Sequence, residues 1–235
     1  MKAMTDITRP AVGYRDLPGL MSAQTGDEKH SFSATSTLDV LWVLYDRILR
    51  VNPDRPDDPA RDRFLLSKGH GPMAYYAVLA AKGFIAPELL PTFGRYDSSL
   101  GHHPDRTLVP GIEIGSGSLG HGLGIAVGLV LGLRAAGRTE PRVFCLVGDA
   151  ELDEGSNHEA IAMAGRLGLE ELVCVAVDNE SSTHGWPGGI GARFALEGWV
   201  STAVSGRDHD ALEAAFRTPH PGRPLAVVAS VERTA

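Results

Sequence analysis

Cysteine is scarce. The 235 residues contain two, Cys145 and Cys174, and both fall inside apolar runs that read as buried strands. Two such thiols cannot form the disulfide framework of a small secreted fold, so a reducing, cytoplasmic compartment is expected. Long hydrophobic runs are also missing. No apolar stretch approaches the roughly 18 residues of a membrane span, and Met1 to Leu20 lacks the apolar core of a signal peptide. Positive charge is not in excess: 22 Lys and Arg against 29 Asp and Glu give a net charge of −7. Such a balance argues against a nucleic-acid surface, which needs clustered cations to displace counterions. It leaves room for a phosphate held locally by backbone amides and a metal ion. Zinc-ligand spacing, the P-loop and the dinucleotide fingerprint are absent, as are internal repeats and low-complexity tracts. What is present is an ordinary composition, 43% hydrophobic and 22% charged, in a length that suits one large α/β domain or at most two small ones.

Residues 1–27 show no period and read as an extended arm. A helix is expected from Ser36, a good N-cap, through Leu38, Leu41, Trp42, Leu44, Tyr45 and Ile48. The stretch from Asn52 to Asp62, rich in Pro and Asp, reads as a surface loop. A helix should follow Pro72 over Met73 to Leu79 and end at Gly83. Asp97 to Gly117, rich in Gly, His and Ser, reads as a long functional loop. A helix from Leu119 to about Ala136 carries Gly120, Gly122, Gly124 and Gly128, so close packing against a neighbour is expected to stabilise it. Val143 to Val147 then reads as a strand, Glu154 to Leu167 as a helix and Leu172 to Val177 as a strand. The segments 192–197, 199–205, 208–216 and 225–231 continue the alternation. Apolar strands alternating with helices predict an α/β fold with a mainly parallel sheet covered on both faces.

In such sheets ligands bind at the carboxyl ends of the strands. One strand ends in Val147-Gly148-Asp149-Ala150 and the next in Val177-Asp178-Asn179-Glu180, thirty residues later. That separation is one strand–helix–strand unit, so Asp149 and Asn179 should emerge side by side. A carboxylate and an amide oxygen are hard ligands suited to Mg²⁺ bridging to a phosphorylated molecule. Spacing alone equally allows Asp149 to cap the next helix and Asn179 to make a turn. The run Gly115 to Gly122 opens a helix and could cradle a phosphate, although tight helix packing explains such glycines as well. Of nine histidines, His30, His70, His102, His103 and His121 fall in Gly/Ser-rich surroundings. Together they suggest a site that handles protons and polyols, while each alone fits a surface residue.

Several motifs in order resemble the transketolase family: Leu66-Ser67-Lys68-Gly69-His70-Gly71-Pro72, Gly101-His102-His103-Pro104, Pro110-Gly111-Ile112-Glu113 and Gly115 to Gly122. Gly148-Asp149-Ala150-Glu151-Leu152-Asp153-Glu154-Gly155 followed by Asn179 is similar to the thiamine-diphosphate signature. The resemblance spans residues 28–235 and implies the family's diphosphate-binding (PP) domain, with thiamine diphosphate and Mg²⁺ as cofactors. It implies Asp149, Asn179 and the Ser181 carbonyl as metal ligands. Gly117 and Leu119 would contact the cofactor through backbone, Gly148 and Ala150 would approach its diphosphate, and Thr183 would join them. His70 would reach a cofactor phosphate, and His30 and His103 would face the thiazolium carbon and sugar hydroxyls, these three being the catalytic histidines. Glu154 resembles the acidic residue that meets the partner domain.

The implied activity is transfer of a two-carbon ketol unit from a ketose to an aldehyde, the carbanion chemistry belonging to the cofactor. The family's second, pyrimidine-binding domain does not fit in these residues. The resemblance therefore implies a split enzyme, a heterotetramer with a separate pyrimidine-binding subunit. The pattern departs at Ala150 (usually Gly), Lys29-His30-Ser31-Phe32 (usually Gly-His-Pro-Gly), His121 (usually Gln) and His184 (usually Asp). No counterpart of the family's later diphosphate-binding histidine occurs before Ala235. Acyl or glycolyl transfer to a carrier, and a non-catalytic regulatory role, stand as alternatives.

Overall fold

The computed structural model describes residues 12–24 and 31–232. Five strands, β1 (Arg63–Leu66), β2 (Val143–Gly148), β3 (Leu172–Asp178), β4 (Val200–Ser205) and β5 (Leu225–Ser230), form one sheet in the order β1-β2-β3-β5-β4. Every pairing is parallel, as the apolar runs require. Side chains alternate across the sheet, so each strand serves two cores. Phe64, Leu66, Phe144, Leu146, Val173, Val175 and Val227 pack on one side, beneath α1 (Leu17–Ser22), α2 (Ser31–Val43), α3 (Met73–Ala81) and α7 (His209–Phe216). Leu65, Val143, Cys145, Val147, Cys174, Ala176 and Val228 pack on the other, against α4 (His121–Ala135), α5 (Gly155–Arg166) and α6 (Ile190–Leu196). The two cysteines are buried, free and adjacent in the β2–β3 register. Among the described residues no helix is long and apolar enough to cross a membrane.

Four expectations change. β1 has no counterpart among the expected strands, because four residues after a Pro-rich loop carry no period. The helix expected from Ser36 begins at Ser31 and continues as one wider turn over Leu44–Ile48. Ser36 is buried inside it rather than capping it. Residues 14–22 are not extended: a 3-10 turn (Tyr14–Asp16) runs into α1, whose Leu17 is fully buried. In α4, Gly122 lies against Ser67, but Gly124 and Gly128 face outward with nothing near them. Packing within this chain therefore explains only part of the glycine pattern.

A charged knot fastens the N-terminal turn to the sheet edge. Asp39 of α2, buried, accepts hydrogen bonds from Tyr14 Oη (2.6 Å), Arg207 Nη1 (2.7 Å) and His209 Nε2 (2.8 Å). Burial by itself raises the Asp39 carboxyl, but those bonds outweigh it and hold it below the ordinary carboxylate value. A depressed acid contributes stability that is present above its unfolded pKa and is lost as pH falls through the folded value. Asp39→Asn is therefore expected to lower the urea midpoint at pH 7. It should also flatten the loss of stability that the native protein shows on acidification below about pH 4, measured by urea unfolding across pH.

Candidate functional site

The tips of β2 and β3 are neighbours, with Gly148 paired to Val177 and the Asp149 amide donating to the Val177 carbonyl at 3.0 Å. The expected juxtaposition of Asp149 and Asn179 on adjacent strand ends is thus present. Asp149 is buried, and its carboxylate does not cap the 3-10 turn that follows (Ala150–Asp153). Instead Oδ2 accepts the amides of Ser181 (2.6 Å) and Ser182 (2.9 Å), and Oδ1 accepts the Ser181 hydroxyl (2.6 Å). A carboxylate offers about four lone-pair sites, so Oδ1 keeps capacity for one more ligand. Asn179 Oδ1 is buried with no hydrogen-bond partner. An orphan amide oxygen beside an incompletely used carboxylate is what a hard cation completes. Next to Asn179 sits Glu180, the single non-glycine residue with positive φ among the described residues (58°), a conformation that L side chains adopt at a cost.

The loop after β3 is held from below. Asp153 accepts the Ser182 hydroxyl at 3.2 Å and the Thr183 amide at 3.3 Å. Farther along, the Trp186 ring stacks on His158 at 4.9 Å. Among the described residues no three His, Cys, Asp or Glu side chains converge to hold a metal. A cation at these tips would therefore be held mainly by amide, carbonyl and phosphate oxygens, the chemistry of Mg²⁺ rather than of zinc.

Glu151 organises the other side of the site. Fully buried, it accepts the Gly120 amide (3.0 Å) at the start of α4, the Gly148 amide (3.2 Å) at the tip of β2, and the Ser67 hydroxyl beyond β1. Ser67 in turn accepts the Gly122 amide at 3.0 Å. One carboxylate and one hydroxyl thus bind two strand tips to the glycine-rich helix start. Burial pushes the Glu151 carboxyl up, against the pull of these donors and of Lys68. The Lys68 ammonium is pushed down to about 8 by burial, with Asp149 and Glu151 pulling the other way. Sequence reasoning assigns neither Glu151 nor Lys68 a role. A lone acidic residue after a strand signals nothing until its three donors are seen.

The glycine-rich loop and two histidines share one rim. The rings of His70 and His103 meet edge to face at 5.1 Å. Gly117 has a φ of 129°, and a Cβ there would lie 2.8 Å from Cδ2 of His103, so glycine lets that imidazole lie over the loop. Leu119 is half-buried, Ala150 and Ser181 are exposed, and Thr183 lies farther along the same loop as Ser181. Glu154 is exposed at the start of α5. His102 packs on Phe93 at 5.2 Å instead of joining the pair, and His121 and His184 are exposed. His30 lies outside the described residues.

Comparison with known proteins places this arrangement. Residues 19–227 match the family described as "Transketolase, thiamine diphosphate binding domain". The chain is 59% identical over 220 residues to "Ferredoxin fas2" of Rhodococcoides fascians, covering 94% of this chain and 72% of that protein. It is 35% identical over 192 residues to "6-deoxy-6-sulfo-D-fructose transketolase subunit SqwG" of Clostridium sp. (strain MSTE9), covering 79% of this chain and 70% of that one. Its fold superposes on the transketolase of Leishmania mexicana with a TM-score of 0.76 at 24% identity, over 93% of this chain and 36% of that one. The chain therefore spans 70% of the Clostridium protein and about a third of the Leishmania enzyme. It belongs to the transketolase family and contains that family's thiamine diphosphate binding domain.

Proposed function

We propose that residues 28–235 supply the diphosphate- and Mg²⁺-binding half of a two-component, cytoplasmic transketolase-like enzyme that moves a two-carbon ketol unit from a ketose to an aldehyde. The observation that carries this reading is the pair of adjacent strand tips, one with a carboxylate oxygen to spare and one with a buried amide oxygen lacking a partner. Asp149, Asn179 and the Ser181 carbonyl would hold the Mg²⁺. The backbone of Gly117, Leu119, Gly148 and Ala150, with His70 and Thr183, would hold thiamine diphosphate. When bound, that cofactor supplies a stabilised carbanion equivalent for breaking and forming carbon–carbon bonds. The chain's own groups bind and orient. Glu151 fixes the cradle, His70 and His103 present imidazoles able to hold protons and sugar hydroxyls at the rim, and the same role is proposed for His30, which lies outside the described residues. Glu154, exposed beside the cradle, would meet the partner.

The Clostridium relative is itself named as one subunit of a transketolase, which supports a separate pyrimidine-binding chain in a heterotetramer. The test is reconstitution: the chain is combined with a candidate pyrimidine-domain protein, thiamine diphosphate and Mg²⁺, and offered ketose phosphates. Turnover that requires both chains is the expected result. Ketose turnover by this chain alone would end the two-component reading.

A second reading, transfer or oxidation of a unit from a 2-oxo acid, has one observation in its favour. The 59% identical relative carries a ferredoxin's name, and an electron carrier suits oxidation better than ketol transfer. The name does not describe this stretch of chain. Its two cysteines are both buried, and a ferredoxin-type cluster takes about four thiolates. Product analysis with ketose and 2-oxo acid donors separates the two.

A further inference from the structure

We infer that Trp186 is a positioning residue for the cation site, its indole clamped by side chains of α5 and α6 so that the Ser181 carbonyl is held in place. The inference rests on the cofactor reading above, which makes that carbonyl a metal ligand. The indole lies on the imidazole of His158, in the first turn of α5, with ring centroids 4.9 Å apart and planes 13° from parallel. The guanidinium of Arg193, on α6, stands over the same indole at 5.9 Å from the ring centre, within reach of a cation–π attraction. Trp186 is half-buried and also packs on the core that α4, α5 and α6 share with the sheet. Two helices and the core thus fix one ring of the loop that follows β3.

The loop needs this fastening because its near anchor is shared with the metal. Ser181 and Ser182 hang on the Asp149 carboxylate, and a cation draws on that same carboxylate. The contacts of Asp153 with Ser182 and Thr183 are longer, at 3.2 and 3.3 Å. Around Trp186 the backbone turns at Gly185, Gly188 and Gly189, with φ of 61°, 79° and 85°. A Cβ at Gly185 or Gly189 would meet nothing within 4 Å, so neighbouring atoms do not hold those turns. Glycines give up much conformational freedom when fixed, and the clamp offsets that loss before any ligand arrives. Its hold passes along the chain in both directions. The Gly185 amide donates to Ser182 Oγ at 3.2 Å and the Gly189 amide to the Trp186 carbonyl at 2.8 Å. A cation therefore meets a carbonyl already in position, which spares it the cost of ordering the loop.

The test reads affinity beside stability. Trp186→Ala in the full chain should weaken binding of Mg²⁺-thiamine diphosphate, measured by calorimetry, by at least about fivefold, or about 1 kcal/mol. Binding of Mn²⁺ in the presence of pyrophosphate, read by electron paramagnetic resonance, should weaken in step. Trp186→Phe keeps a flat ring against His158 and should stay within about threefold of native. His158→Ala should weaken binding at least about twofold alone and add nothing in the Trp186→Ala background, because the two rings act as one contact. His158 is half-exposed, so its variant carries the test should Trp186→Ala fail to fold. Smaller losses of affinity, accompanied only by a lower urea midpoint, overturn the inference and leave the cofactor reading intact. So does an additive loss in the double variant, or a loss for thiamine diphosphate that spares Mn²⁺ with pyrophosphate. A native protein that binds neither diphosphate ligand overturns the cofactor reading and the inference with it.

Discussion

Asp149→Ala is expected to reduce cofactor-dependent turnover of the reconstituted enzyme by at least about a hundredfold. Two losses combine. One is a charged ligand to a cation that neutralises a diphosphate, worth several kcal/mol, when about 2.7 kcal/mol already means a hundredfold in rate. The other is the anchor for the loop after β3, because the Ser181 amide and hydroxyl and the Ser182 amide all donate to this one carboxylate. Asp149→Asn separates the two. It retains an acceptor for the loop but not the charge, and should raise the Mg²⁺ concentration needed for half-maximal activity more than it disturbs folding. Steady-state rates across a Mg²⁺ titration check both variants. Activity within about twofold of native for Asp149→Ala would favour a non-catalytic, regulatory role.

Glu151→Ala should be the most destabilising single change at the site, by about 3–5 kcal/mol. The carboxylate is buried and receives three donors from three segments, the end of β1, the end of β2 and the start of α4. Removing it leaves those donors without an acceptor, and each buried unsatisfied group costs about 1–3 kcal/mol. It also removes one of the two carboxylates that attract the buried Lys68. Against a domain stability of about 5–15 kcal/mol such a loss is severe. Glu151→Gln keeps an acceptor oxygen and should lose less than half as much. Urea unfolding of the two variants measures the difference. A loss below about 1 kcal/mol for the alanine variant would mean that water or a neighbouring group satisfies the donors.

Much of the fold was legible because its signals are local. Short apolar strands separated by helices fit a covered parallel sheet, and β2, β3, α5 and their order followed from that pattern. The Asp149–Asn179 pairing was legible too, since one strand–helix–strand unit places successive strand ends together. What the sequence concealed depends on tertiary contact. β1 is too short to show a period. Ser36 looks like a cap until α2 is seen to begin five residues earlier and to bury it. Residues 14–22 gain their helical form by inserting Leu17 into the core. Glu151 is an ordinary charged residue by composition, and only burial at the strand tips gives it work. The outward-facing Gly124 and Gly128 remain without a packing explanation inside this chain.

The decisive measurement is a crystal structure of the chain with thiamine diphosphate and Mg²⁺, in its two-component form where that assembles. The ion should sit about 2.1 Å from one Asp149 carboxylate oxygen and from Asn179 Oδ1, with diphosphate oxygens completing its shell over Gly148. Density for the cofactor away from these two strand tips, or an ion that leaves Asn179 Oδ1 without a partner, would contradict the assignment of this site.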